Sequence, residues 1–372
     1  MAPPVRDMIS GFRSMLGIIS SRLVLAGPRS VALAISDVCN TKCIMCWCHS
    51  PLTTPARKAT GASPGAAYMD PALFETILRE ARQMGTYRVV LGGNGDPTLH
   101  PQFDQMLELM DRLDMVPYVL TNGIGIDEPR LRVWATKRAH FRFSMHAGDV
   151  ETWLRVHTIG TEGQFQQLCR TIRALVAAGT PHISTMHVIH KQNYRHVRRM
   201  VEHARELGIK DVLFRPVRAT GLLADVVLDP QQETWLRHEL TQCLQLAERY
   251  QIRTNLHEVL DHNLYIRSGV LDTRHLYRRI PCYIGWIYAE FDIEGAMTPC
   301  LDSRIVMGHA GRDRLRDMWT SPRYWTFRRH TRRMPIRGQC VPGCVCHACC
   351  MTKFNVNIYN LLRLRSFRYG EA

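Results

Sequence analysis

Three cysteines stand close together in the stretch Cys39-Asn40-Thr41-Lys42-Cys43-Ile44-Met45-Cys46, directly after the apolar run 31–35. Thiols separated by three and then by two residues can converge on one side of a tight loop. Four ligands would close a tetrahedral zinc site, whereas three leave a position open. Soft thiolates also suit iron–sulfur clusters, and a cube held by three of them keeps one iron free for a further ligand. On spacing alone a zinc knuckle and a set of unrelated buried thiols stay in contention.

A second group lies far downstream: Cys282, Cys300, Cys340, Cys344, Cys346, Cys349 and Cys350. Cys48 sits just past the first group. Cys169 and Cys243 stand alone in helical patterns, where a buried thiol packs as a small apolar group. Thirteen cysteines is an odd number, and they are clustered in a long chain. That argues against an extracellular disulfide framework and for metal or cluster ligands in a reducing compartment, the cytoplasm. A zinc ribbon built from two of the downstream pairs is the competing reading.

Residues 92–97, Gly-Gly-Asn-Gly-Asp-Pro, supply backbone that can approach a ligand closely. Gly93-x-Gly95 is followed by Asp-Pro and not by a third glycine opening a helix, which disfavours a dinucleotide fingerprint. His146, His187 and His190 are acid/base candidates. Asp302, two residues after Cys300, is another, and Cys48 could donate a hydrogen atom to a substrate radical.

These residues need a scaffold, and the chain supplies one by alternation. Short β-branched runs at 31–35, 88–91, 117–120, 141–145, 183–189 and 212–214 alternate with helical patterns. Asp70-Pro71 and Asp229-Pro230 are helix starts, with Asp as N-cap and Pro at the first helical position. Strand–helix alternation with short links implies a parallel sheet with helices outside it. A partial (β/α)6 barrel and a doubly wound sheet both satisfy the pattern. In either, chemistry gathers at the C-terminal strand ends. That rim receives Cys39–Cys46, residues 92–97, Thr121-Asn122-Gly123, Ser144, His146, His187, His190 and Arg215. Residues 50–67, rich in Pro, Gly and Ala with Arg57 and Lys58, read as a long loop and a candidate lid.

At 372 residues the chain can bury a full core, and 45% hydrophobic with 22% charged residues is ordinary for a globular enzyme. Net charge is +15, with only 6 Lys among 48 basic residues. An Arg-rich solvated surface accounts for that; a basic cleft for a phosphate, nucleotide or carboxylate is the sharper reading. The stretch 328–333, Arg-Arg-His-Thr-Arg-Arg, reads as a solvated helix face or a phosphate-facing patch. No apolar run is long enough to span a bilayer. Residues 8–25 read as a basic amphipathic helix that packs on the domain, with weak membrane association as an alternative.

The C-x3-C-x2-C spacing resembles the signature of the radical SAM superfamily, in which the free iron of a [4Fe–4S] cluster binds S-adenosylmethionine. Residues 94–97 are similar to that family's Gly-Gly-Glu-Pro stretch, with Asn94 for the first Gly and Asp96 for Glu. Cys282, twelve residues, Gly295, four residues and Cys300 resemble the opening of its SPASM/twitch extension, with residues 291–300 as the hairpin. The full SPASM spacing C-x2-C-x5-C-x3-C is not met by Cys340 to Cys350.

The resemblance implies an α/β fold, a partial (β/α)6 TIM-like barrel with a small C-terminal Cys-rich region. It divides the chain into an N-terminal helix 1–30, a core 31–250, a connector 251–281 and a SPASM/twitch-like region 282–372. It implies Cys39, Cys43 and Cys46 as ligands of the first cluster. Asn94, Gly95, Asp96, Asn122, Ser144, Arg155 and Arg215 would lie around S-adenosylmethionine. At least one auxiliary [4Fe–4S] cluster is expected, with Cys282 and Cys300 as firm ligands and Cys346 and Cys349 as the second pair. Cys340 and Cys344 are spare. The implied chemistry is reductive cleavage of S-adenosylmethionine to a 5′-deoxyadenosyl radical, which takes a hydrogen atom from an unactivated C–H bond. An electron donor such as flavodoxin or ferredoxin would drive it.

Oxidation, epimerisation, rearrangement and cross-linking all stay open as outcomes. About 30 residues precede the first strand, and the cysteine spacing is irregular. From both features the expected substrate is a small, anionic metabolite: a sugar, aminocyclitol or nucleotide-type intermediate of natural-product biosynthesis. A peptide or protein substrate is the alternative, and a zinc-stabilised nucleic-acid-binding protein is the alternative of another class. No aromatic interleaving of the kind a single-strand platform needs is present.

Overall fold

A computed structural model describes residues 5–20, 23–52, 67–217, 225–260, 274–346, 349 and 351–363. Arg57, Lys58, most of the expected lid, and Cys350 lie outside the described residues. The strands are β1 Ser30–Leu33, β2 Arg88–Leu91, β3 Val116–Thr121, β4 His140–Ser144, β5 Ile183–Ile189, β6 Asp211–Pro216, β7 Arg253–Thr254, β8 Tyr288–Phe291, β9 Ala296–Thr298 and β10 Gly308–His309. They form one sheet in the order β10-β9-β8-β1-β2-β3-β4-β5-β6-β7. Every pair from β1 through β7 is parallel. The fold is α/β, a partial barrel of parallel strands with helices on its outside.

Alternation along each strand assigns the two faces. In β4, Phe141 and Phe143 are buried and His140, Arg142 and Ser144 are half-buried. Trp134, in the outer helix Glu128–Ala135, stacks on Phe141 with centroids 4.8 Å apart. The aromatic face therefore meets the helices, and the polar face lines the barrel interior. In β5 the same register turns Ser184, Met186 and Val188 inward and His187 outward, where His187 stacks on Phe214. His187 is thus on the helix side of the sheet, not on the rim. Strand-end reasoning could not see which face a strand's last residues take.

The outer helices begin where local chemistry starts them. Asp70 caps the helix Pro71–Gln83, accepting from the Ala72 N–H. Thr161 with Gln164, and Asp229 with Gln232, form capping boxes on Glu162–Ala177 and Pro230–Arg249. One helix, Val150–Val156, was not anticipated; Asp149 caps it through Thr152 N. Its short length left too few turns for a periodic signal.

The downstream block joins this sheet. β8 pairs in parallel with β1 from Ser30↔Tyr288 to Leu33↔Phe291, and the antiparallel pair β8–β9 carries the sheet onward. Gly295, at φ +85, makes the turn between them.

The N-terminal helix Val5–Ser20 packs in a way its pattern did not suggest. Ser10, Ser14 and Ile18 are buried, and a Cβ at Gly17 would lie 3.4 Å from the Trp286 ring. Met8, Ile9, Phe12 and Ile19 face outward. Small residues allow close approach of the helix backbone, so they take the contact. Among the described residues no helix is long and apolar enough to cross a membrane.

Arg328 also departs from expectation. It is fully buried, donates Nε–H to Gly285 O at 2.8 Å and Nη1–H to Trp319 O at 2.8 Å, and lies 4.2 Å from the Tyr324 ring centroid. Burial lowers it to about 10. It ties the helix Pro322–Arg332 to the core and is not part of a solvated face.

Candidate active site

The loop after β1 is held from two sides. Gly95 N donates to Ser36 O at 2.9 Å and Asp96 N to Val38 O at 2.8 Å, so the turn after β2 lies directly against the approach to Cys39. A Cβ at Gly95 would stand 2.3 Å from Val38 O. Gly95 is therefore required by backbone packed on backbone, ahead of any ligand. On the other side, Ile44 N donates to Val156 O at 2.9 Å and Thr158 N to Lys42 O at 3.3 Å, with Cys43 bridging His157.

Asp96 is buried and wholly engaged. Its carboxylate accepts from Thr98 N at 3.0 Å, Thr98 Oγ1 at 2.7 Å, Thr121 Oγ1 at 2.9 Å and Asn122 N at 2.6 Å. Burial raises it, and these donors oppose the rise. It fastens the turn after β2 to the end of β3. Asn122 continues the chain of bonds: Nδ2 donates to Asn40 Oδ1 at 2.8 Å and lies 3.7 Å from Cys39 Sγ, while Oδ1 accepts from Ile124 N. Asn94 donates to Asp37 Oδ1 at 2.9 Å and accepts from the Cys48 thiol at 3.5 Å. These residues meet the cysteine loop. Ser144 ends β4 on the inner face.

The thiols are set for a cationic partner. Burial first, then the charge of neighbours, pushes Cys39 up to about 11; Cys43 rises further, from burial and then from Cys46. Ionising such thiols together demands a bound cation, and metal binding supplies it. Among the described residues no three His, Cys, Asp or Glu side chains gather as they would around a single ion. A cluster spreads its ligands over several irons, so three thiols around one loop fit it in number and in softness.

His157 is the residue sequence reasoning missed. Its Nδ1 lies 3.3 Å from Cys43 Sγ and 3.2 Å from Thr41 Oγ1, and Nε2 lies 3.3 Å from Met145 O. Arg155 drew the sequence reading to this segment, but its guanidinium is engaged by Glu151, Thr152 and His196. A lone histidine two residues on carried no signal of its own. His146 and His190 are poor proton carriers at neutral pH. His146 Nδ1 accepts from Val188 N, and His190 Nδ1 from Gln192 N. Burial holds His146 well below its ordinary range and His190 at about 3.

The second thiol group assembles from distant segments. The charge on Cys300 is opposed by burial and then by Cys349, Cys282 and Cys344. Asp302 lies among them, adding to the rise at Cys300, Cys344 and Cys349, and its carbonyl accepts from Val345 N at 2.6 Å. That places Asp302 with the downstream thiols. Cys340 and Cys346 meet each other sulfur to sulfur, with Cα atoms 6.3 Å apart. The turn at Gly343 brings Cys344 back to Ser303, and Cys344, Cys349 and Cys282 all lie near Cys300. Glu290, on the inner side of β8, is a further residue with no sequence signal. Burial pushes it up to about 8, opposed by a bond from Tyr288 Oη at 3.3 Å and assisted by Asp302.

Comparison with known proteins follows the same two groups. The radical SAM superfamily profile matches residues 33–213, and SPASM, an iron-sulfur cluster-binding domain, matches residues 282–350. The chain belongs to the radical SAM superfamily. It is an enzyme of that superfamily, its cofactors are a [4Fe–4S] cluster bound with S-adenosylmethionine and auxiliary iron–sulfur chemistry at the SPASM domain. The zinc-stabilised nucleic-acid reading is thereby set aside.

A PqqA peptide cyclase from Gluconobacter oxydans is 24% identical over 286 residues, 75% of this chain and 72% of its own. Among solved structures, Streptococcus suis SuiB bound to S-adenosylmethionine superposes with a TM-score of 0.62 at 16% identity, covering 88% of this chain and 74% of that one. Native anSMEcpe with bound AdoMet and Cp18Cys peptide gives 0.60 at 14% identity, covering 88% of each. These likenesses show the fold. They also correct the expectation of a small-metabolite substrate, since the curated relative is named for a peptide.

Proposed function

We propose that this enzyme modifies a peptide, taking a hydrogen atom from an unactivated C–H bond of a peptide substrate. The match to a peptide cyclase across three quarters of the chain supports the reading most directly. When bound, the first cluster and S-adenosylmethionine supply the 5′-deoxyadenosyl radical. Cys39, Cys43 and Cys46 would hold that cluster. The turn at Asn94, Gly95 and Asp96 braces the cysteine loop, and Asn122 ties it to the end of β3. Ser144, on the inner face at the end of β4, would help hold S-adenosylmethionine.

Cys282, Cys300, Cys344 and Cys349 would hold one auxiliary cluster, Cys282 and Cys300 flanking the β8–β9 pair that lies beside β1. Glu290, on the inner side of β8 with its carboxyl pushed up to about 8 by burial, would be the group that accepts or returns a proton, and Asp302 lies near it. A flavodoxin- or ferredoxin-type donor supplies the electron, and the many reduced thiols suit the cytoplasm. The test is anaerobic reconstitution with iron and sulfide, reductant and S-adenosylmethionine, in the presence of peptides carrying deuterated residues. Deuterium appearing in 5′-deoxyadenosine supports the reading. Cleavage of S-adenosylmethionine without transfer from any peptide, but with transfer from a labelled small-metabolite pool, defeats it.

A further inference from the structure

From Met8 onward, the helix Val5–Ser20 turns its large apolar side chains away from the protein. A surface helix ordinarily buries that side. Here Ser10, Ser14, Gly17 and Ile18 take the protein face. Met8, Ile9, Phe12, Leu16 and Ile19 are exposed, Phe12 at 65% and Ile19 at 59%. At about 100° per residue they fall within an arc of about 100°, one continuous stripe. Leu23 and Leu25, just after the helix, are exposed as well. A monomer seldom leaves so long an apolar patch to water without a use for it.

Arginines frame the stripe. Arg13 is exposed on the helix itself, about 40° beyond Ile9. Arg29 lies along the opposite edge, where a Cβ at Gly11 would stand 3.2 Å from its Cζ. Arg332 closes the C-terminal end, its Nη1–H donating to Ile18 O at 2.5 Å, and Arg329 and Arg333 beside it are exposed. No acidic residue stands between Asp7 and Asp37, or between Asp317 and Glu371. Neither the helix nor the segment packed on its end therefore brings a carboxylate to the stripe. A second copy of this face would set arginine against arginine, which disfavours self-association. The stripe is the convex outer side of a helix, so it offers no groove to a peptide. An apolar body with a cationic rim does match the boundary between acyl chains and anionic headgroups, where arginine stems lie along the apolar layer and their guanidinium groups reach phosphate.

We infer that the helix Val5–Ser20 seats the enzyme on an anionic bilayer surface, with the Phe12 and Ile19 stripe in the acyl boundary and the framing arginines against headgroup phosphates. The helix lies on the bilayer and does not cross it. Its 16 residues span about 24 Å, against about 30 Å of hydrocarbon, and the protein occupies its other side. Gly17 lets the helix backbone sit close to Trp286, so the anchor is a fixed part of the fold and its docking orients the whole enzyme. Cytoplasmic leaflets carry anionic lipid, which agrees with the reduced thiols. The inference does not depend on which substrate the enzyme modifies.

Vesicle flotation of the anaerobically reconstituted full chain tests it. Vesicles of phosphatidylcholine with about one-third phosphatidylglycerol should carry about tenfold more enzyme than pure phosphatidylcholine vesicles, and raising salt from about 0.1 to about 0.5 M should release part of it. The double variant Phe12→Gln/Ile19→Gln leaves the charge untouched and should bind the mixed vesicles about tenfold less. Trp235→Gln, at an exposed aromatic on the helix Pro230–Arg249, should bind as wild type. Reductive cleavage of S-adenosylmethionine without vesicles should be the same in all of them, which shows the fold intact. Arg13→Gln should weaken mixed-vesicle binding and flatten its salt dependence, an independent arm should the double variant fail to fold. Binding that neither variant lowers is mere adhesion of the overall charge of +15 and overturns the inference. Equal binding to both lipid compositions, or no vesicle binding, overturns it as well. A dimer by light scattering that the double variant splits overturns it in favour of a second copy. Binding of a helical Leu/Glu peptide that vesicles do not displace overturns it in favour of an acidic peptide.

Discussion

Glu290 offers a sharp check of the interior electrostatics. Its carboxyl is pushed from an ordinary value of 4.5 up to about 8 by burial, against the bond from Tyr288. In the unfolded chain it ionises near 4.5, and in the folded chain near 8. Between those values the unfolded state holds fewer protons, so stability falls as pH rises, by about 1.4 kcal/mol per pH unit. The contribution is fully present below pH 4.5 and gone above 8. From pH 6 to 8.5 this group alone should take about 3 kcal/mol from the wild type. Glu290→Gln cannot ionise and should escape that loss. Urea unfolding of the reconstituted protein at pH 6 and 8.5 reads the difference between the two proteins, which cancels other titrating groups. Parallel pH dependences for wild type and Glu290→Gln would refute the reasoning, because Glu290 would then be ionised in the fold beside an unseen cation.

Four further substitution sets carry distinct outcomes. Serine at Cys282, Cys300, Cys344 or Cys349 should each cost about four irons per chain by metal analysis, the content of one cluster, whereas serine at Cys340 or Cys346 should cost none. Alanine at Cys39, Cys43 or Cys46 should abolish reductive cleavage of S-adenosylmethionine while the auxiliary iron stays. His157→Phe should speed loss of the first cluster to a chelator by about 10- to 100-fold, the usual effect of removing a partner of a metal ligand; an unchanged rate would show that the contact with Cys43 is incidental. Arg328→Leu should destabilise the fold by about 3–5 kcal/mol, as it orphans the Gly285 and Trp319 carbonyls and empties the space among the aromatic rings; a loss under about 1 kcal/mol in urea unfolding would contradict that.

Local signals in the chain were enough for the parallel core. Asp70-Pro71, Asp229-Pro230 and the β-branched runs are short-range features, and each formed where its own residues dictate. The spacing of Cys39, Cys43 and Cys46 is likewise local, but it left zinc in contention until residues 92–97 and the downstream cysteines were read with it. Pairings between distant segments were a different matter. Asp96 meeting Thr121 and Asn122, His157 meeting Cys43, and β8 lying beside β1 are set by how strands order in the sheet, which no window of sequence contains. The same holds for faces: His187 and Arg142 both alternate correctly in their strands, yet only the packed helices decide that one is sealed outside and the other opens inward. The gathering of Cys282, Cys344 and Cys349 about Cys300, and the meeting of Cys340 with Cys346, depend on turns and strand pairings that spacing does not encode. Sequence thus determined the chemistry available to this enzyme. Tertiary structure decided which residues share a dielectric environment, because burial and charge proximity are properties of neighbours in space and not of neighbours in the chain.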